Sequence, residues 1–162
     1  MKKLFALILT LTLVFALAAC GSKPAENKPA EIKSADLKAF YESTFVNENM
    51  PMMGVMEGEM LDAFYAGLSE LDLKQCIVAM PMISAVAAEV ALVEVNNSAD
   101  LEKVQEIFKA RIQSQIDGGA FYPATIEAWE KSAEIVVNNN TVMLICLETK
   151  DEVVEKFNAL FA

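Results

Sequence analysis

Three kinds of hydrophobic pattern divide the chain. Residues 4–17 are almost wholly apolar, and residues 21–33 are polar with two prolines. From residue 34 onward, apolar positions recur with the spacing of helices or strands. The pattern therefore predicts an apolar leader, a polar linker and one folded domain over residues 34–162.

Apolar residues three and four positions apart predict five helices in the folded part. They are expected to begin near residues 37, 57, 101, 123 and 150. Ser34 is the expected N-cap of the first helix, and Gly118-Gly119 is the expected end of the third. Pro123 suits the first turn of the fourth helix. Thr149 and Glu152 have the spacing of a capping box before the last.

Four strands are predicted between these helices, at Cys76–Met80, Ser84–Val95, Ala133–Val137 and Thr141–Glu148. Pro81 stops the first strand, and Asn138-Asn139-Asn140 is typical of a hairpin turn. The short connections favour two antiparallel hairpins. The order of elements indicates an α+β fold, with a four-stranded antiparallel sheet packed by helices in a single domain.

The beginning of the chain has the pattern of a secretory signal peptide. Lys2 and Lys3 precede the apolar stretch, and small residues lead to Cys20. Only 16 residues separate Lys3 from Cys20, and a polar, proline-containing segment follows at once. A transmembrane helix needs about 20 apolar residues, so we expect residues 1–19 to be a signal peptide and not an uncleaved anchor.

The sequence Leu17-Ala18-Ala19-Cys20, followed by Gly21-Ser22, resembles a bacterial lipobox. In lipoproteins of this type the cysteine thiol carries a diacylglyceryl group, and cleavage makes that cysteine the first residue. Two or more acyl chains, such as diacylglyceryl and palmitate, anchor a protein stably to a membrane. The resemblance implies a lipid-anchored lipoprotein on the extracytoplasmic face of the cell membrane, with residues 20–33 as a flexible tether.

Charge and composition exclude several function classes. The chain has 13 basic and 23 acidic residues, and removal of residues 1–19 leaves 11 basic residues against the same 23 acids. No basic cluster follows residue 3, so nucleic-acid binding is not expected. The chain contains no histidine, which excludes catalytic pairs of serine or cysteine with histidine and imidazole zinc sites.

Several short stretches of the folded part resemble domain-of-unknown-function family 4358, which occurs in small lipoproteins of Gram-positive bacteria. They are Pro81-Met82-Ile83-Ser84, Glu89-Val90-Ala91, Arg111 with Gln115, Tyr122-Pro123, Ala133 to Val137 and Val142 to Leu147. The resemblance covers roughly Leu37 to Phe161. It supports the fold and the cellular location, and it implies no catalytic residues, because the family has no assigned activity.

Four polar residues are candidates for binding a ligand. Glu89 lies in an apolar strand, where a buried carboxyl has a raised pKa and can act as a functional acid. We favour the alternative that it faces the sheet edge or pairs with Arg111, the only arginine. Arg111, Gln115 and Tyr122 lie near the end of the third helix. They are expected either to bind a carboxylate or carbohydrate, or to tie this helix to the next turn.

A methionine-rich segment is a candidate copper site. Residues 50–60 contain Met50, Met52, Met53, Met56 and Met60, and thioethers suit Cu(I). The alternative is that these flexible side chains pack on the core. We favour packing, because each methionine that faces the core is lost as a metal ligand.

Cys76 and Cys146 remain as an even pair once Cys20 carries lipid. Outside the cytoplasm they can form a disulfide, or they can be two buried free thiols. The spacing alone does not decide between these alternatives.

These features favour a membrane-anchored, non-catalytic domain that binds an envelope protein or a small ligand. The alternative function is a ligand or Cu(I) carrier that uses residues 50–60. An enzyme is less favoured, because only carboxylates, one arginine, serine and tyrosine are present for catalysis, and no cofactor is expected.

Overall fold

The computed structural model describes residues 33–162 and shows an antiparallel sheet with helices packed on both faces. The expected signal peptide, Cys20 and almost all of the tether lie outside the described residues. No helix within residues 33–162 is both long and apolar enough to cross a membrane.

The helices and strands alternate irregularly along the chain. The helices are α1 (Leu37–Phe45), α2 (Glu59–Phe64), α3 (Leu101–Ser114), α4 (Pro123–Ser132) and α5 (Lys150–Ala159). The strands are β1 (Met53–Val55), β2 (Leu73–Pro81), β3 (Glu89–Val95), β4 (Ala133–Asn138) and β5 (Thr141–Cys146). A 3₁₀ turn at Ser98–Asp100 precedes α3, and a π-helical turn at Gln115–Gly119 follows it.

The sheet has five strands in the order β1-β2-β3-β5-β4, and all neighbouring strands are antiparallel. The α+β class, the single domain and both hairpins are therefore confirmed, but the prediction of four strands is wrong. The additional strand is β1, which pairs Met53 with Pro81 and Val55 with Ala79. It is too short to show the alternation by which strands are recognised in a sequence.

The sheet separates two hydrophobic cores. Residues of β3 alternate between them, so that Ala91 and Val93 face one core and Val90 and Leu92 face the other. The first core also contains residues of α3 and α4, and the second contains residues of α1 and α5. Every residue of β3 and β5 is buried because both faces of these strands are covered.

Several boundaries differ from the sequence predictions. The strand predicted over residues 84–95 begins only at Glu89, because the apolar residues before it form a loop whose hydrophobicity looks like that of a strand. The N-cap of α1 is Asp36 and not Ser34, since a carboxylate oxygen of Asp36 accepts a hydrogen bond from the Ala39 amide at 2.9 Å. Thr149 makes no side-chain capping bond to α5.

Candidate functional site

The central strand β3 carries one buried carboxylate at its first residue. Glu89 faces the core that contains α3, and it is only 2% exposed. Its backbone lies opposite Cys146 of β5. An isolated carboxylate in such a place is strongly destabilising, so it requires a partner of opposite charge.

Arg111 of α3 supplies that charge. Its Nε donates to Glu89 Oε1 at 2.8 Å, and its Nη2 donates to Glu89 Oε2 at 2.7 Å. This two-point geometry is the strongest form of a guanidinium–carboxylate pair. The alternative favoured from the sequence, in which Glu89 pairs with Arg111, is confirmed. The ion pair leaves the Nη1 amino group of Arg111 outside it.

Three aromatic side chains, one of which is Tyr65, complete the surroundings of the pair. The Tyr65 hydroxyl donates a hydrogen bond to Glu89 Oε1. The Arg111 guanidinium carbon lies 5.0 Å from the ring centre of Phe64 and 5.7 Å from those of Tyr65 and Trp129. The flat cation therefore has aromatic faces around it, which favours its charged state.

Both donors keep their protons in this site. Burial, followed by the charge and hydrogen bond of Glu89, raises the pKa of Tyr65 well above its usual value. Burial lowers the pKa of Arg111, but the hydrogen bonds and charge of Glu89 outweigh burial and raise it overall. Glu89 is therefore surrounded by two donors, Tyr65 and Arg111, that both stay protonated.

The Glu89–Arg111 pair is at the floor of an open cavity of about 190 Å³. The walls are mostly apolar and include Met80, Met82, Ile83 and Trp129. A neighbouring groove of about 360 Å³ also includes Arg111, whereas two grooves of about 440 Å³ elsewhere are lined by no buried charged side chain among the described residues. A polar floor with apolar walls is the usual character of a ligand pocket.

A wide helical turn after α3 brings Gln115 to the same cavity. Gln115 begins the π-helical turn and lines the cavity together with Gly119 and Ala120. Gly118, the last residue but one of the turn, has a φ of 124°, which residues with a side chain disfavour. At Gly119 an added Cβ would lie 2.5 Å from the side-chain Nε2 of Gln115 and 2.7 Å from the backbone carbonyl oxygen of Ser114. The two glycines therefore allow the close turn that presents Gln115.

The structure brings together three of the four predicted ligand-binding residues. Glu89, Arg111 and Gln115 all line the cavity. Tyr122 does not line it; it is the N-cap residue of α4, and its ring packs edge-on against Phe121. Sequence analysis missed Tyr65, Phe64 and Trp129, because their helical spacing indicates core positions and not a contact with Arg111.

A second buried carboxylate, Glu94, lies on the opposite face of β3. It pairs with Lys74 at 3.1 Å and accepts a hydrogen bond from the Gln75 amide. The same Gln75 amide nitrogen donates to the Ala35 carbonyl at 2.7 Å, and Lys74 donates to the Ser34 hydroxyl at 2.8 Å. This network fixes the beginning of the domain to the sheet. It lines none of the cavities described above.

The methionine-rich segment is divided between the two cores. Met56 belongs to the core that contains α3, whereas Met50 and Met53 pack against the other. Met52 is 85% exposed. Met50, Met52 and Met53 line one surface groove with Tyr41 and Phe45, but Met56 does not. The four methionines proposed as copper ligands therefore do not converge on one point.

The two cysteines of the domain are free thiols that lie on different strands. Cys76 of β2 pairs in register with Val93 of β3, and Cys146 of β5 pairs with Glu89 at the other end of β3. A whole strand separates them, so they cannot reach the distance that a disulfide requires. Within residues 33–162 there is also no cluster of three or more Cys, Asp or Glu that could hold a metal ion.

The model of the family described as "Domain of unknown function (DUF4358)" matches residues 46–147. The match includes β1 to β5, α2 to α4 and every residue named above in the Glu89–Arg111 cluster. No curated protein is significantly similar to the chain. No solved structure matches it either.

Proposed function

The chain belongs to the DUF4358 family, whose function is unknown. From the sequence of its first 20 residues and from the geometry of the folded domain, we propose that it is a lipid-anchored binding domain of the cell envelope. In this proposal Cys20 carries the lipid, and the cavity above Glu89 and Arg111 is the binding site. In this proposal the domain binds its ligand without catalysis, because the raised pKa values of Tyr65 and Arg111 keep both donors protonated.

One observation supports the binding site above the others: the buried ion pair lines an open cavity. A buried pair adds little stability compared with well-packed apolar residues, so its presence is weak evidence for a purely structural role. Here Glu89 accepts three hydrogen bonds, from Arg111 Nε, Arg111 Nη2 and Tyr65. We assign Arg111 Nη1, which lies outside the ion pair, and the side-chain amide of Gln115, which lines the cavity, as the donors for a ligand.

The chemistry of the cavity favours a neutral acceptor attached to an apolar group. Glu89 compensates the charge of Arg111, so the floor has no net charge and does not require an anion. A carbonyl oxygen accepts from Arg111 Nη1, while an attached alkyl group contacts Met80, Met82 and Trp129. The volume of about 190 Å³ is below the roughly 300–1,000 Å³ of pockets for drug-sized ligands. It suits a small group or a single side chain.

Isobutyramide is a suitable probe, because it combines a neutral carbonyl with a small alkyl group. We expect it to shift the methyl NMR signals of Met80 and Met82, which line the cavity, and to leave the signal of Met143, which is buried in the other core, unchanged. The control compound is tert-butylammonium, which has a similar alkyl group but no hydrogen-bond acceptor. Equal shifts at all methionines, or none at Met80 and Met82, would contradict the proposed site.

The lipid anchor is tested separately. Cys20→Ala is expected to release the protein from the membrane fraction and to abolish labelling with a clickable fatty acid. The matched control is Cys76→Ala, which removes a thiol of the folded domain and is expected to change neither result. Equal labelling of wild type and Cys20→Ala would exclude the lipoprotein assignment.

A further inference from the structure

The mouth of the cavity is unusually apolar for an exposed surface. Met82 and Ile83 are 68% and 62% exposed, and Phe64 is also exposed, although all three line the cavity. We call these three side chains the apolar rim. The exposed Phe121 follows Ala120, another lining residue, and extends the apolar surface along the chain. Contiguous exposed apolar groups around a pocket are typical of interaction sites.

Acidic residues outnumber basic ones around the mouth, and Lys103 of α3 shares a neighbouring groove with Phe64 and Glu106. Residues 57–64, 81–89 and 112–125 contain no lysine or arginine, and the charge of Arg111 is compensated by Glu89. Glu57, Glu59 and Asp62 lie on or just before α2, the helix that ends at Phe64. Asp117 adds a further negative charge in the turn after α3. A positively charged partner is therefore favoured over an anionic one.

The apolar rim and the beginning of the domain lie at opposite ends of β2. Lys74 and Gln75, near the first residue of this strand, hold Ser34 and Ala35. Pro81, its last residue, lines the cavity. At roughly 3.3 Å per residue, the intervening strand separates the two by about 20 Å. A tether that joins at residue 33 thus leaves the rim far from its attachment point.

We propose that the apolar rim and the cavity bind a basic, apolar segment of another protein. An apolar side chain of the segment enters the cavity, and a neighbouring carbonyl accepts from Arg111 Nη1. Lysine or arginine residues flanking that side chain lie near the acidic groups of α2. Anionic lipid is disfavoured as the occupant by these same acids and by the position of the rim. This inference rests on the proposed binding function and specifies its partner.

The test uses short peptides of defined chemistry. End-blocked hexapeptides place every pair drawn from Leu, Ile, Val, Met and Phe between two pairs of lysines. One matched set has glutamate in place of lysine, and another has two serines in the centre. Binding to the full-length protein in detergent is measured by fluorescence anisotropy. We expect the best basic apolar peptides to bind at least tenfold more tightly than their acidic and serine counterparts.

Variants of the rim locate the binding. Met82→Ser combined with Ile83→Ser is expected to weaken the best peptide at least tenfold. Val137→Ser alters an exposed apolar residue of β4 that does not line the cavity, and it should have no effect. Equal affinity for all three peptide sets, an unchanged affinity of the double variant, or stronger binding to phosphatidylglycerol vesicles would each overturn the inference. If isobutyramide still binds in those cases, the cavity remains a binding site, and only the proposed basic, apolar partner is excluded.

Discussion

At the scale of single residues, the Glu89–Arg111 pair determines both the stability and the chemistry of the site. Each partner is buried, and each depends on the other for compensation of its charge. The cost of removing one partner is therefore much larger than the stability that the intact pair contributes. This asymmetry distinguishes the pair from the exposed Lys131–Glu127 pair of α4.

Arg111→Met is expected to lower the free energy of unfolding by about 3–5 kcal/mol, because it leaves the Glu89 carboxylate buried without a cation. Urea denaturation measures the change. Lys131→Met is the matched control, and it should have almost no effect because both members of its ion pair are exposed. A similar small effect for Arg111→Met would show that water reaches Glu89 freely.

The thiols of the domain provide a second prediction at this scale. Burial raises the pKa of Cys76 to about 11, and burial, with the charge of Glu89, raises that of Cys146 to about 12. The reactive thiolate is therefore scarce at pH 8. We expect both thiols to react with Ellman's reagent at least tenfold more slowly in the native protein than in urea. Failure to react even in urea would indicate a disulfide.

At the scale of elements, the helices and the two hairpins follow directly from the sequence, but their exact ends and β1 do not. The long periodic pattern of α3 is sufficient to predict it, because one face is buried along its length. In contrast, β1 has three residues and is defined by its pairing with β2. The π-helical turn is equally difficult to predict from the sequence, since the two glycines at its end are also typical of an ordinary helix end.

The candidate site was partly predictable, because some of its residues are unusual for their place in the sequence. Glu89 is conspicuous as a carboxylate within an apolar strand, and Arg111 is the only arginine available to it. Gln115 follows one helical turn later. The contribution of Tyr65 depends on how the segment after α2 packs against β3 and α3, which no local pattern encodes. Tyr122 has a suitable position along the sequence, but its backbone serves the start of α4.

The turn after α3 is tested by Gly118→Ala. The φ of 124° is strained for alanine, so we expect a loss of about 1–3 kcal/mol in the free energy of unfolding. Because the turn presents Gln115, isobutyramide binding should weaken as well. Ser114→Ala changes a helical residue next to the turn and is the matched control. A stability equal to wild type for Gly118→Ala would mean that the turn adopts another conformation.

The network at the beginning of the domain predicts a pH dependence. Burial raises the pKa of Glu94, but hydrogen bonds from Ser34, Gln75 and Lys74 and the charge of Lys74 outweigh it and lower the pKa below 4.5. The stabilisation is therefore present above pH 4.5 and is lost as the pH falls through the lower folded-state pKa. Glu94→Gln should reduce the acid-induced loss of stability. Glu127→Gln changes an exposed carboxylate and serves as the control.

At the scale of the whole molecule, the beginning of the domain and the cavity are at different ends of the sheet. The Glu94 network holds the beginning of the domain near the first residues of β2, and the Glu89 cluster forms the cavity near the last residue of this strand. Lys33 also donates to the Ala162 carbonyl at 2.7 Å, so the two ends of the domain meet. Under the proposed function, this arrangement places the cavity away from the lipid anchor, where a partner can reach it.

The most direct test of the account removes the cluster without leaving a buried charge. The triple variant Tyr65→Phe, Glu89→Leu and Arg111→Met replaces all three polar groups by apolar ones of similar size. Its thermal unfolding shows whether the domain still folds, and methyl NMR titration shows whether it binds isobutyramide. We predict a cooperatively folded protein, more stable than Arg111→Met alone, that no longer binds isobutyramide. A folded triple variant with wild-type affinity would contradict the assignment of this cluster as the binding site.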